Sequence, residues 1–399
     1  MSLPAEGELR VGVDATTWAN DRGFGRFTRE LVTAMAARDR GLRYTLVFDQ
    51  PPRLELPAGV EVLCASTRRS LGEAASGDGA RSVFDLLRLG LAVRRAAFDV
   101  FFFPAVFSYF PLPSRVPCVV CYHDATAERF GEMLFPTRVN RWLWNAKTRL
   151  AHLQTSRAMT VSRSSADDLV AIHGFAPARV DQVTEAADPC FRVLDDPDVG
   201  RRARVRHGLP EDAALLVHVG GMNRHKNLLR LLQAMPEVVA ARPDVHLALV
   251  GSTTGEGFWD NVPELQAYVR DHAPLDRHVH FTGRIEDDGL VELLNGAAAL
   301  VFPSLWEGSG LPAVEAMSCG VPVLASRRGS LPEVVGDAGG FFDPESVPDI
   351  ARCILGFLGD AELRRRLGER ALARVERFSW DRAAELAEES LRRCHREAR

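Results

Sequence analysis

The chain has 399 residues, 46% of them hydrophobic and 26% charged, and a formal net charge of -4. That length suggests roughly two to three domains. The composition is that of an ordinary globular protein, and the mild negative charge argues against a nucleic-acid binder. No apolar run reaches the ~18 residues a membrane-spanning helix needs; the longest, from Val100 to Phe110, is broken by Pro104. Glu6 and Glu8 stand where a secretory leader would be basic, so a cytoplasmic location is expected. The seven cysteines are scattered. Cys118 and Cys121 have no second pair at similar spacing to make a zinc site, and Val119-Val120 between them reads as buried strand, so both are expected in the core.

The first half alternates short apolar runs with helical patterns, as α/β proteins do. Leu9 to Asp14 reads as a strand. Gly23-Phe24-Gly25-Arg26 reads as a loop, followed by an amphipathic helix with Phe27, Leu31 and Met35 on one side. Further strands are expected at Tyr44 to Phe48, Val60 to Cys64, Val100 to Phe103, Val116 to Tyr122 and Ala158 to Val161. The Gly/Ser/Ala-rich stretch Ser66 to Ala80 reads as a mobile loop. Asp195 to Gly200, rich in Asp and Pro, reads as a linker. The pattern then restarts, with strands at Ala214 to Val219, His246 to Val250, Val279 to Phe281, Ala299 to Phe302 and Val321 to Ala325. From Trp380 onward runs a charged amphipathic helix. Two α/β patterns in tandem suggest two Rossmann-like domains, whose ligands bind beyond the carboxyl ends of the strands.

The most informative segment is Trp306-Glu307-Gly308-Ser309-Gly310-Leu311-Pro312-Ala313-Val314-Glu315-Ala316-Met317-Ser318-Cys319-Gly320-Val321-Pro322-Val323. It reads as a strand end, a glycine loop and a helix opened by Pro312. Proline suits the first helical position because its missing N–H has no helical partner there. The free amides and the dipole of such a helix make an anion site, and glycines let a ligand approach the backbone. A diphosphate fits. The flanking carboxylates accept hydrogen bonds only, which suits vicinal sugar hydroxyls.

This segment resembles the Glu-x7-Glu signature of the retaining glycosyltransferase family 4, and the stretch Gly329-Ser330-Leu331-Pro332-Glu333-Val334-Val335-Gly336 most resembles its mannosyltransferase-like members. The resemblance implies the GT-B fold: two Rossmann-like domains facing across a cleft, with a C-terminal helix crossing back to the first. Residues 1–195 would then be the acceptor domain, 196–378 the nucleotide-sugar domain and 379–399 the returning helix. The resemblance also implies that Glu315 binds the nucleotide ribose, that Glu307 and Gly308 lie beside the transferred sugar, and that Ser309, Gly310 and Leu311 hold the diphosphate. Lys226 matches the family's diphosphate-binding lysine. Gly221 occupies the family's arginine position, and Arg224 is the candidate replacement. By the same resemblance Arg284 and Ile285 border the base, Gly23, Phe24 and Gly25 belong to a glycine loop over diphosphate and acceptor, and His123 lies near sugar and acceptor with Asp124 shaping its loop. A neutral His123 could bond a hydroxyl or relay a proton.

The expected reaction is retaining transfer of a hexose, GDP-mannose being the favoured donor and a UDP-sugar the next, to a hydroxyl of a glycan, lipid-linked or natural-product acceptor. Catalytic roles fall to His123, Glu307 and Lys226. No metal or other cofactor is expected: Asp196-Pro197-Asp198 is an Asp-x-Asp in the proposed linker with no strand leading into it. The alternatives are a nucleotide-sugar epimerase of the same fold and a non-catalytic nucleotide-sugar-binding protein. The aromatic, basic stretch from Phe130 to His152 leaves a peripheral contact with the inner face of the membrane open. Oligomeric state is not readable.

Overall fold

A computed structural model describes residues 8–20, 23–38, 40–67, 82–113, 116–135, 137–253 and 261–399. Most of the Gly/Ser/Ala-rich stretch expected to form a loop lies outside them. The described residues group into two compact units. One is drawn from Met1–Glu128, Thr137–Glu185 and Ser379–Arg399, the other from Arg129–Pro136 and Ala186–Phe378.

The first unit is built on a parallel sheet of β1 (Leu9–Asp14), β2 (Leu42–Phe48), β3 (Glu61–Cys64), β4 (Val100–Phe103), β5 (Cys118–Cys121), β6 (Arg157–Thr160) and β7 (Val180–Gln182), in the order β3-β2-β1-β4-β5-β6-β7. Strands such as Val-Phe-Phe-Phe in β4 are buried along their whole length, as expected when helices cover both faces of a parallel sheet. One face packs Val11, Val13 and Val119 against Phe27, Leu31 and Met35 of helix Gly23–Ala36 and against Ala383, Ala387 and Leu391 of helix Trp380–Glu397. The small alanines at i and i+4 let this last helix lie close to the sheet. The other face packs Phe101, Phe103 and Val120 against helices Val83–Ala96 and Arg138–Gln154. Cys118 and Cys121 are buried free thiols of β5.

The second unit repeats the plan with β8 (Ala214–Val219), β9 (Val245–Val250), β10 (Val279–Gly283), β11 (Ala299–Phe302), β12 (Val323–Ser326) and β13 (Gly339–Phe342), in the order β10-β9-β8-β11-β12-β13. In each sheet the order reverses beside its first strand, between β1 and β4 and between β8 and β11. That reversal opens a crevice at the carboxyl ends of the strands, where such sheets bind ligands.

Several readings change. Gly23 to Arg26 is not a loop but the first turn of helix Gly23–Ala36. Gly25 is required there because a Cβ would lie 1.8 Å from the Asn20 carbonyl oxygen. The Asp/Pro stretch at 195–200 leads directly into helix Val199–Arg206. The second unit begins ahead of it, at Ala186, because Ala187, Cys190, Phe191 and Leu194 pack into that unit's core. The Asp-x-Asp carboxylates are occupied by arginines, Asp196 by Arg202 and Asp198 by Arg201. The edge strands β7 and β13 were not foreseen.

Candidate active site

In the second unit the loops after β8, β11 and β12 are tied into one frame. The chain leaves β8 through Gly220, at φ +142°, and makes a single turn over Arg224–Lys226. Asn227 follows in the left-handed conformation, at φ +61°. Its buried amide nitrogen donates to the carbonyls of Pro303 (3.0 Å) and Pro344 (2.8 Å). The Leu305 amide donates to the His225 carbonyl at 2.8 Å, and the Ser330 amide to the Glu307 carbonyl at 3.2 Å. Gly329 is at φ +58°, and a Cβ there would come within 2.9 Å of both the nitrogen and the carbonyl oxygen of Glu307. The backbone of Glu307 is thereby held from two sides.

The frame brings Lys226 Nζ to 2.7 Å from Glu307 Oε1, with both side chains largely buried. Burial pushes the Glu307 carboxyl up; the charge of Lys226, helped by His225, outweighs it and holds the group below the ordinary carboxylate value. Burial, with Lys226 adding to it, pushes the His225 imidazole down to about 4. His218, in β8, is likewise pushed down to about 4 by burial. Its Nδ1 lies 3.1 Å from the Val301 carbonyl; a carbonyl only accepts, so Nδ1 carries the proton and Nε2 is left as an acceptor. Among the described residues, His218 Nε2, His225 Nδ1, Trp306 Nε1 and Ser330 Oγ are buried without a hydrogen-bond partner. So many unpaired polar atoms near one ion pair are costly to a fold and fit a polar ligand.

Helix Leu311–Ser318 begins at Gly310, in the left-handed conformation at φ +68°, with Pro312 in its first turn. Its first amides have no carbonyl within the helix, and its dipole favours an anion. Glu315 is buried in the second turn. Lys226, Glu307, Gly308 and Ser309 to Leu311 are thus carried on neighbouring loops of one sheet end, with Glu315 in the helix that follows. Arg224 is exposed and paired with Glu264 at 3.3 Å. Arg284 is exposed and lies 3.2 Å from Glu286. The Ile285 side chain is buried in the core, leaving only its backbone for a base contact. A feature not foreseen is the Arg129–Pro136 segment. The Arg129 guanidinium lies 3.9 Å above the Trp306 ring, and helix Gly131–Leu134 packs on the Arg224–Lys226 turn.

In the first unit, His123 follows β5 and is buried. Its Nε2 lies 2.9 Å from the Pro104 carbonyl and its Nδ1 lies 3.3 Å from Glu185 Oε1. Phe24 and Phe27 stand edge-on to the ring at 5.0 and 4.6 Å, so the start of helix Gly23–Ala36 does meet His123. Asp124 accepts from the Thr126 amide at 2.8 Å and shapes the turn. Burial pushes the His123 imidazole down, but the Cys121 sulfur and the Glu185 carboxylate outweigh it and hold the ring well above its ordinary 6.5. Acceptors at both nitrogens favour the protonated ring.

A raised histidine value contributes stability that is fully present below the unfolded value and lost as pH rises through the folded one. NMR should therefore find His123 still charged above pH 6.5. In Glu185→Gln the titration should return toward 6.5, and the loss of stability with rising pH should shrink. An unchanged titration in that variant would remove Glu185 as the cause.

Two parallel sheets of the same winding, the second with a lysine–glutamate pair beside a helix start, define the GT-B class of fold. The protein-family description Glycosyltransferase Family 4 matches residues 22–189, and Glycosyl transferases group 1 matches residues 200–374. The chain is 36% identical over 165 residues to O-antigen chain mannosyltransferase B of Escherichia coli, covering 41% of this chain and 42% of that protein. Among solved structures, sucrose-phosphate synthase from Thermosynechococcus elongatus superposes with a TM-score of 0.75 at 19% identity, over 98% of this chain and 100% of that one. Anabaena HepE in complex with UDP-glucose superposes with a TM-score of 0.71 at 18% identity, over 95% and 98%. The chain belongs to the family-4-like glycosyltransferases of the GT-B fold. It spans about half or less of the length of the curated relatives it matches, from 29% to 54%.

Proposed function

We propose that the protein is a retaining hexosyltransferase that moves mannose from GDP-mannose to a hydroxyl of a glycan or lipid-linked acceptor. The observation that carries this reading is the buried Lys226–Glu307 pair beside the start of helix Leu311–Ser318, with Glu315 one turn inside it. Mannosyltransferases among the relatives support the sugar. A UDP-sugar is the competing donor, since HepE binds UDP-glucose.

In this mechanism the carbon–oxygen bond from the anomeric carbon to the diphosphate breaks first. The charge left on the phosphate falls to the amides of Ser309 to Leu311 and to Lys226, fixed donors that need no reorganisation. An ammonium has three protons, so Lys226 can hold Glu307 with one and phosphate oxygens with the others. Glu307, ionised by Lys226, supports the positive charge developing on the sugar ring. A double displacement would need a free carboxylate on the opposite face; Glu307 is engaged by Lys226. The acceptor hydroxyl therefore bonds to the anomeric carbon on the face the phosphate leaves, and its proton passes to the departing phosphate oxygen. Retention follows. The ribose hydroxyls are held by Glu315.

Isothermal titration against GDP, UDP, GDP-mannose and UDP-glucose tests this. One nucleotide should bind tightly, and Glu315→Ala should weaken it by at least ~30-fold, the loss of two hydrogen bonds to a charged group. Binding indifferent to Glu315 would overturn the assignment.

A further inference from the structure

We propose that the outer side of helices Val83–Ala96 and Arg138–Gln154, both in the first unit, docks onto an anionic lipid bilayer surface. This goes beyond the transferase reading and uses none of the donor-site residues.

The two helices cover the same face of the sheet, sharing a core with Phe101 and Phe103 through Leu89 and Val93 of one and Ala151 of the other. The chain at 111–113 joins them. Gly90 faces the Pro111 carbonyl so closely that a Cβ would lie 2.5 Å from it. Leu112 exchanges two hydrogen bonds of 3.0 Å with the Gln154 side chain. They therefore flank one strip of surface.

Their outward sides are apolar at helical spacing. Val139, Trp142, Leu143, Leu150 and Leu153 are exposed on the longer helix, Trp142 by 67% and Leu153 by 73%. Phe84, Leu87 and Leu91 are exposed on the shorter one, Phe84 by 84%. Large apolar side chains in that number on one side of a unit mark an interaction surface. The charges beside them are of one sign. Arg138, Arg141 and Arg149 on one helix and Arg88, Arg94 and Arg95 on the other are exposed, and none has an ion-pair partner among the described residues. The longer helix has no acid. The one acid of the shorter helix, Asp85, is buried and bonded to Ser82. The chain as a whole is at -4, so this positive side is local.

An apolar ridge bearing Trp, Phe and Leu and edged by unpaired arginines is the chemistry of a helix lying in the headgroup boundary of anionic lipid. Neither helix can span: no helix among the described residues is long and apolar enough to cross a membrane. The shared occupant of both helices is a surface, which a bilayer offers.

The test is co-sedimentation with vesicles of phosphatidylcholine alone and of phosphatidylcholine with phosphatidylglycerol. The wild type should partition onto the anionic vesicles, less so at 0.5 M than at ~0.1 M salt. Phe84→Ser with Trp142→Ser should lower the partition coefficient by at least ~10-fold, and Arg138→Glu with Arg141→Glu should do the same. All four positions are exposed, so circular dichroism and nucleotide titration should be unchanged, which separates this outcome from failure of the donor site. No partition onto anionic vesicles would overturn the proposal, as would equal partition of the variants. Sedimentation equilibrium finding a dimer that the same substitutions dissociate, without vesicle binding, would overturn it in favour of an interface between two copies.

Discussion

Replacing Lys226 with methionine should lower both activity and stability, for separable reasons. Methionine keeps the stem packed but leaves the Glu307 carboxylate, 12% exposed, without its 2.7 Å partner. Breaking one side of a buried ion pair typically costs about 3–5 kcal/mol. The catalytic loss should be of the order of 10²–10³ in kcat, that of removing one donor to developing negative charge. The double variant Lys226→Met, Glu307→Gln should regain most of the stability, because no buried charge remains, and none of the activity. The pH dependence has a definite sign. A depressed carboxyl contributes stability above its unfolded value, about 4.5, that is lost as pH falls through the folded one. The wild type should lose this contribution below pH 4.5, and the methionine variant should have none to lose. A single variant as stable as the wild type would show that the pair contributes little.

Arg157→Ala should destabilise the first unit nearly as much. The guanidinium is 1% exposed and forked onto Asp181, at 2.7 and 2.8 Å. It also reaches Glu397 of the last helix at 2.8 Å. Truncation leaves Asp181, 14% exposed, with only Ser390 and the half-exposed Arg393 for company. A loss of about 3–5 kcal/mol is expected. Glu397 is half exposed, so Glu397→Ala should cost under about 1 kcal/mol. Removing the whole helix should be far worse, since Ala383, Ala387 and Leu391 cover the sheet face that carries Val11 and Val119. Urea denaturation of the three variants would rank them, and equal losses for Arg157→Ala and Glu397→Ala would contradict this account.

Much of this was legible in the residues. β4 and β11 are continuous apolar runs bounded by turn residues, β8 is one interrupted only by His218, and their limits follow directly. The segment from Trp306 to Val323 carries its geometry in its composition, because Gly310 and Pro312 leave the helix start few other places. What escaped has physical reasons. β13 opens with Gly339-Gly340, a poor strand sequence, and forms because a Cβ at 339 would lie 2.0 Å from the Val323 carbonyl oxygen of the neighbouring strand. β7 is three residues at a sheet edge. Gly23 to Arg26 has the composition of a loop, yet the burial of Phe27 and Leu31 draws it into the helix. Asn227 and Ser330 are single polar residues whose roles exist only through contacts far along the chain. The asparagine alone had a signal, its tolerance of the left-handed conformation just before a helix.

The last helix also sets an order of assembly. Tyr44 donates to Glu388 at 3.3 Å across 344 residues of chain, and Arg157 meets Glu397 across 240. On the ribosome, residues up to Glu185 emerge with one sheet face covered only in part, by helix Gly23–Ala36. The residues from Ala186 to Phe378 must follow before the last helix completes that cover. At roughly 5–20 residues per second, the wait is of the order of 10–40 s. During it, the second unit, almost contiguous in the chain, can complete its own sheet. The amino-terminal half is therefore the later to mature, reversing the usual sequence of vectorial folding, and its uncovered apolar face is the stretch of the nascent protein that a chaperone would meet.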